Sequence, residues 1–418
     1  MIEVLKNAFK VPELRKKIVF TLAMLFVFRI GVHVPVPGIN RDVIENLVNS
    51  GQLLGFFDVI SGGAFKNFSV FAMSITPYVN ASIILQLLAV VIPSLEKLSK
   101  DPDGRKKIAS YTRYFTVILA FVQAIGISVG LQNALLTPGW ISILLIALSL
   151  TAGTAFLMWL GELINDKGIG NGISILIFAG IVSRLPSGLY TIYASLKAGT
   201  TNILVVLLIA VMAVIMVAAV VMLNEGQRRV PVQYAKRVVG RKVYGGQSTH
   251  IPLKVNQAGV IPIIFAMTLL MFPGTIASWF PNSSVAVAVS NIFDFNNVWY
   301  QMVYALLIIF FTFFYSAITL NVIDIADNMK KYGGFIPGLR PGRPTSDYLA
   351  KISSRITLAG AIFLACIAVV PTLLMKLTSL SLYLGSTSLL IVVGVALDTM
   401  KQMESQLMMR NYQGFLKK

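Results

Sequence analysis

Apolar runs of about 20 residues recur along this chain, the length an α-helix needs to cross roughly 30 Å of hydrocarbon. They fall at residues 18–35, 74–92, 114–131, 141–160, 173–185, 203–223, 258–276, 298–320, 356–375 and 382–397. Few other folds can use so many. Hydrophobic residues make up 56% of the chain and charged residues 12%, against roughly 25% charged in a soluble domain. A soluble fold of this size would lack the polar side chains to cover its surface. The expectation is an all-α integral membrane protein with ten transmembrane helices.

The lysines and arginines orient the spans. With ten spans, both termini and the even-numbered connections share one side, and 29 of the 35 basic residues lie there. The other six are Arg29, Arg41, Lys66, Arg184, Lys197 and Lys376. The basic side is therefore read as cytoplasmic, with both termini on it. The first apolar run outlasts a signal-peptide core and no A-x-A-like site follows, so it reads as a retained first span.

Chemistry has little to work with here. The single Cys366 and the two histidines, His33 and His250, exclude a disulfide framework and a multi-histidine metal centre. A phosphate-binding loop fails at GRKVYGGQS, where Gly246 and Gln247 replace the required Lys and Ser/Thr. The glycine-rich 166–174 stretch joins two spans without a preceding strand and reads as a tight, flexible turn. No catalytic residue, metal site or cofactor is expected, and the chain reads as a non-enzyme. No Asp, Glu or Lys lies near the middle of a span, which disfavours an ion-coupled carrier. A secondary transporter for a small solute stands as the alternative reading. Arg29 and Arg184, near outer span ends, read as snorkelling to the interface, with a structural pairing as the other option. An uncharged pathway can still gate by dewetting at an aliphatic constriction.

Two long basic connections exceed what orientation requires. Residues 224–256 carry the pairs Arg228/Arg229, Lys236/Arg237 and Arg241/Lys242, and the alternation of Val230, Val232 and Tyr234 predicts short strands. Residues 321–355 include KKYGGFIPGLRPGRPTSDY, a stiff excursion punctuated by Pro and Gly. Such loops attract anionic lipid headgroups, or dock a large negative partner such as ribosomal RNA or an acidic protein surface. Early prolines, Pro77 and Pro262, mark the second span of each five-span half, a pattern of inverted-repeat membrane proteins. Residues 56–71, FFDVISGGAFKNFSVF, are too short and glycine-rich to cross, and read as a loop, an interfacial helix or a re-entrant segment.

Eight stretches together resemble the SecY family, the large subunit of the bacterial protein-conducting channel. They are PVPGIN (35–40), SGGAF (61–65), TPYVNASIILQLL (76–88), GRKKIASYTRY (104–114), FLMWLGELINDKGIGNGISILIFAGIV (156–182), YAKRVVGRKVYGGQSTHIPLKVNQAGVIPIIFA (234–266), FIPGLRPGRPTSDYL (335–349) and GSTSLLIVVGVALD (385–398). They run in order over essentially the whole chain.

The resemblance implies ten helices in two pseudo-symmetric five-helix halves, 1–197 and 198–418, around a central pore. It implies an aliphatic pore ring of Val79, Ile83, Ile177, Ile181, Val260, Ile264 and Ile391, and the spacing of four within the first three pairs puts each pair on one helix face. A plug would lie in 56–71, with Phe57, Ser61, Gly62, Gly63, Ala64 and Phe65. The lateral gate would open between spans two and seven, beside three and eight, with Gln86 and Gln123 as its polar positions. Arg228, Arg229, Lys236, Arg237, Arg241, Lys242 and Arg340 resemble contacts to the motor ATPase SecA or the ribosome. SecE and SecG, signal peptides and preproteins, and anionic lipids complete the implied partners. The implied work is to conduct unfolded preproteins across a bacterial plasma (inner) membrane and to release membrane segments sideways into lipid.

Overall fold

In a computed structural model of the chain, residues 2–50, 58, 61–199, 202–234, 237–239, 242–244, 248–278, 283–293, 297–378 and 386–416 are described. The helices are α1 (Ile2–Lys10), α2 (Pro12–Val32), α3 (Arg41–Ser50), α4 (Thr76–Val91), α5 (Pro93–Lys100), α6 (Pro102–Gly130), α7 (Trp140–Lys167), α8 (Gly172–Lys197) and α9 (Ile203–Glu225). After them come α10 (Ile261–Ser278), α11 (Ser284–Ile292), α12 (Val298–Thr319), α13 (Val322–Lys331), α14 (Arg343–Thr378) and α15 (Ser386–Leu416). Ten of these, α2, α4, α6 to α10, α12, α14 and α15, stand at the ten expected spans.

Six of the ten are long and apolar enough to cross by themselves, and the bent pair α4–α5 makes a seventh candidate. The remaining three have local reasons for falling short. Helix α2 spends its first turns on Glu13, Arg15, Lys16 and Lys17, α15 runs on past its apolar turns into polar sequence, and α10 has only a short apolar stretch, Ile261–Gly274. Side chains chosen for hydrocarbon cover the outside. On α9, Leu204, Leu207, Leu208, Val211, Val214 and Ile215 are all exposed, a surface stable only against lipid, which in turn forces the backbone into closed helical hydrogen bonding.

Asx caps set several helix starts, each giving an otherwise unsatisfied backbone N–H an acceptor. The Asp101 carboxylate accepts from the Gly104 N–H (3.2 Å) at α6. The Asn171 side chain accepts from the Ile173 and Ser174 N–H groups at α8, and Asn202 and Asn297 do the same at α9 and α12. Pro77 and Pro262 do not interrupt spans. Each is the second residue of its helix, where a missing N–H costs nothing. Their shared consequence is that α4 and α10 start late. Helix α4, with 16 residues, is about 24 Å long, and at Pro93 the chain turns by 109° into α5.

Helix α6 packs on α4 and α7, α7 on α2 and α8, and on the other side α12 packs on α10 and α14, and α9 on α14 and α15. The two groups meet where α10 faces α4 and α6, and where α15 faces α8. The turn at 166–174, expected to be flexible, is pinned at that second meeting. The Ile169 N–H donates to Thr21 Oγ1 (3.0 Å), the Gly170 N–H to Gln402 Oε1 (2.5 Å) and the Gly172 N–H to Asn165 Oδ1 (2.7 Å).

The strands lie in the basic connections: β1 (Gln227–Tyr234), β2 (Arg237–Val239), β3 (Lys242–Tyr244), β4 (Ser248–Lys254) and β5 (Gly334–Phe335). Strand β1 is central, antiparallel to β4 along Gln227–Gln233 and to β5 at Gln233 and Tyr234. Since β5 comes from the 321–355 connection, the two loops form one lobe. Val230, Val232 and Leu253 from the first close a small core with Met329, Ile336 and Leu349 from the second.

Candidate functional site

The seven aliphatic residues expected at a pore ring lie on α4, α8, α10 and α15 or, for Val260, just before α10. All seven are buried and belong to one apolar cluster. Helical spacing explains the pairs: Val79 with Ile83, and Ile177 with Ile181, sit one turn apart on one face. Close approach explains how α15 reaches them. A Cβ built on Gly394 would run into Val260 Cγ1, so Ile391 is brought in by a helix whose glycine lies directly against Val260. The residues are uncharged, branched and buried, the chemistry of a seal rather than of a binding site.

Residues 61–75 form a chain of turns folded back into the bundle, the re-entrant option among the readings of 56–71. Ser61, Gly62, Gly63, Ala64 and Phe65 are all buried; Phe57 lies outside the described residues. Phe71 stacks on Phe28 of α2 and on Phe156 of α7, and the Val36 and Val70 N–H groups pair with the Phe68 and Val34 carbonyls (2.9 and 3.0 Å). Gly62 and Gly63 hold φ of +67° and +93°, open to glycine at no steric cost. A side chain at Gly62 would also meet the Gly180 Cα of α8 at 2.7 Å.

Charge holds this segment, and composition concealed it. Asp58 is buried and paired with Arg184 of α8. The Lys66 N–H donates to Asp58 Oδ1 (2.7 Å), and the Gly63 N–H and Ser61 Oγ–H donate to the Asp58 carbonyl. Arg29 of α2 donates through Nη1 to the Gly62 carbonyl (2.9 Å) and to Ser183 Oγ (3.0 Å). Lys66 Nζ reaches Glu45 of α3 at 2.8 Å. The two arginines therefore do not snorkel; they point inward to the segment. The signal available in the sequence was the pairing of two outer-end arginines with one acidic residue in a glycine-rich stretch too short to span.

Gln86 Nε2 of α4 donates to Ser82 Oγ on its own helix (3.0 Å), and Gln123 of α6 is buried. Among the described residues no hydrogen bond joins the two glutamines.

A family model described as SecY matches residues 69–400. The protein translocase subunit SecY of Halalkalibacterium halodurans is 50% identical over 100% of both chains. That of Thermotoga maritima is 46% identical, over 100% of this chain and 98% of its own, and that of Bacillus subtilis 47% identical over 100% of both. This chain belongs to the SecY family. It is the central, channel-forming subunit of a protein translocase, embedded in the membrane by multiple spans, and the small-solute carrier reading is set aside. The solved structures agree in fold at low identity. One titled "The structure of a protein conducting channel" superposes with a TM-score of 0.68 at 19% identity, covering 96% of each chain. Sec61 in the canine ribosome-channel complex gives 0.63 at 18% identity, again over 96% of each.

On the lobe of β1, β4 and β5, Arg228 and Arg229 are exposed on β1, and Arg340 is exposed between Gly338 and Gly342, both at positive φ. Its carbonyl accepts from Thr345 Oγ1 (2.9 Å), tying the GLRPGR turn to the start of α14. Arg237 and Lys242 fall on β2 and β3, a separate two-stranded hairpin. Lys236 and Arg241 lie outside the described residues.

Proposed function

We propose that Val79, Ile83, Ile177, Ile181, Val260, Ile264 and Ile391 form the constriction through which an unfolded polypeptide passes, with residues 56–71 as the plug beside it. Their common burial in one cluster contributed by four helices is the observation that carries this. An aliphatic collar can seal around any passing sequence because it makes no directional bonds with it, and it excludes ions by dewetting when empty. The chain divides into 1–197 and 198–418, and parts between α4 and α10 to release apolar segments sideways. Gln86 and Gln123 flank that seam, and polar contacts between membrane helices are weak enough, at about 1 kcal/mol, for a signal peptide to displace.

Both termini and the lobe of β1, β4 and β5 face the cytoplasm of a bacterium, the side favoured by the basic residues. Arg228, Arg229, Lys236, Arg237, Arg241, Lys242 and Arg340 receive the driving partner there, SecA or the ribosome. The neighbours described as ribosome complexes, canine Sec61 and yeast Ssh1, support the second. SecE and SecG are the small membrane partners, and anionic lipids meet the remaining basic surface. No catalytic step is assigned to the chain; its partners supply the work.

The test is electrical. Replacing Ile181 and Ile264 by serine in a chain whose plug segment is deleted should raise ion conductance in planar bilayers above that of the plug deletion alone. An unchanged conductance refutes the ring assignment.

A further inference from the structure

Every polar contact described above between the plug and the rest of the molecule runs to one side. Asp58 pairs with Arg184 on α8, Gly62 accepts from Arg29 on α2, and Lys66 pairs with Glu45 on α3. The Phe68 carbonyl and the Val70 N–H pair with the stretch following α2. Packing is divided: Phe65 and Phe68 share a cluster with Val36, Ile39, Ile44, Ala120, Ile146 and Leu150, while Ala64 and Phe71 belong to the cluster that also holds Val260, Ile264 and Ile391. The polar anchoring of the plug therefore runs to α2, α3, α8 and the stretch after α2, and none of these polar contacts runs to α10. Parting the seam with α10 leaves these polar contacts in place.

One interaction among these is costly to leave half-made. The Asp58 carboxylate is almost wholly buried, with 6% of its side chain exposed against 26% for Arg184. A buried carboxylate without its cation is strongly disfavoured. The Arg184 guanidinium also lies flat over the plug backbone: a Cβ at Gly63 would stand 3.4 Å from Cζ and Nη2. That is ordinary contact distance, so it is the φ of +93° that calls for glycine at 63, and Ser183, next to Arg184 on α8, receives Arg29. Two cations from two helices converge on a six-residue stretch, 58–63.

We propose that Asp58 and Arg184, with Arg29 as the second grip, are a charge latch that sets how often the plug leaves its seat, so that plug release needs this pair broken as well as the seam opened. The proposal rests on residues 56–71 being the plug. Breaking the pair should then unseat the plug in an otherwise closed channel, with no partner and no substrate present.

The experiment measures open probability of the full-length chain in planar bilayers for Asp58→Asn, Arg184→Gln, the double variant, Asp58→Glu, and a chain lacking 56–71. Each neutralising single variant should raise open probability about tenfold or more, because one partner of a largely buried pair is left uncompensated. The double variant should be no leakier than the leakier single, the non-additivity expected of two groups acting through one interaction. Asp58→Glu, which keeps the charge, should stay near the parent. Lys401→Gln, which removes the exposed pair with Glu225 (2.9 Å) at the cytoplasmic end, reports on general damage and should change nothing. If deleting 56–71 leaks and the neutralising singles stay closed, the latch is refuted while the plug stands. If that deletion does not leak, the plug assignment falls and the latch with it. Additive effects of Asp58→Asn and Arg184→Gln also overturn the latch.

Discussion

Replacing Ile336 by alanine probes whether the two basic connections act as one unit. Ile336 is 4% exposed and sits in the core shared with Val230, Val232, Leu253, Met329 and Leu349. Among the described residues, backbone pairing between the loops is limited to Gln233 with Phe335 and Tyr234 with Gly334. Such a short ladder cannot hold by itself, so the apolar core must supply the attachment. Alanine removes three carbons, about 2.4 kcal/mol of transfer free energy at ~0.8 kcal/mol per buried carbon, and a residual cavity brings large-to-small core changes to about 2–5 kcal/mol. A loss of that lower size corresponds to about a fiftyfold rise in the local opening constant, since ~1.4 kcal/mol is tenfold. Hydrogen exchange on the full-length chain reads it directly. The Val232, Gln233 and Phe335 amides should exchange about fiftyfold faster, and so should Leu253 on β4, although the substitution lies some 80 residues away in sequence. If Phe335 loosens while Val232 and Leu253 keep their protection, the two loops are independent, and the shared core is not what joins them.

Two further perturbations test other joints. Gly394→Val drives a side chain into Val260 and should push α15 away from the ring, raising resting ion conductance and lowering Tm by several degrees; a silent channel with normal Tm would mean α15 can shift without opening the collar. Arg340→Glu reverses an exposed charge on the GLRPGR turn and should abolish motor-driven secretion while leaving exchange protection in β1 and β4 intact; normal secretion would remove Arg340 from the partner contact alone.

Much of this molecule was legible in one dimension. The ten spans follow from the requirement that backbone polar groups in hydrocarbon be satisfied within the segment, so length and apolarity suffice. The basic asymmetry is likewise additive along the chain, and the alternation at Val230, Val232 and Tyr234 foretold β1. Pro77 and Pro262 were legible as early prolines of their spans, but their first-turn placement depends on where the preceding non-helical segment stops, which the run of apolar letters does not mark. Arg29 and Arg184 were misplaced for a related reason. A cation near an outer span end has its cheapest solution at the interface, unless the fold delivers a buried acceptor, and Gly62 O and Asp58 come from a re-entrant segment whose path is nonlocal.

By itself, then, the sequence determined a ten-span membrane protein and, through its long motifs, its family, because each of these is written in local runs or in residue order. Only the tertiary structure decided that seven aliphatic residues from distant spans share one buried cluster and that two basic loops make one lobe. It also decided that two arginines turn inward, Arg184 to Asp58 and Arg29 to the Gly62 carbonyl. Those facts depend on which helix faces which, and helix pairing is settled by side-chain fit and close glycine contacts between segments far apart in the chain.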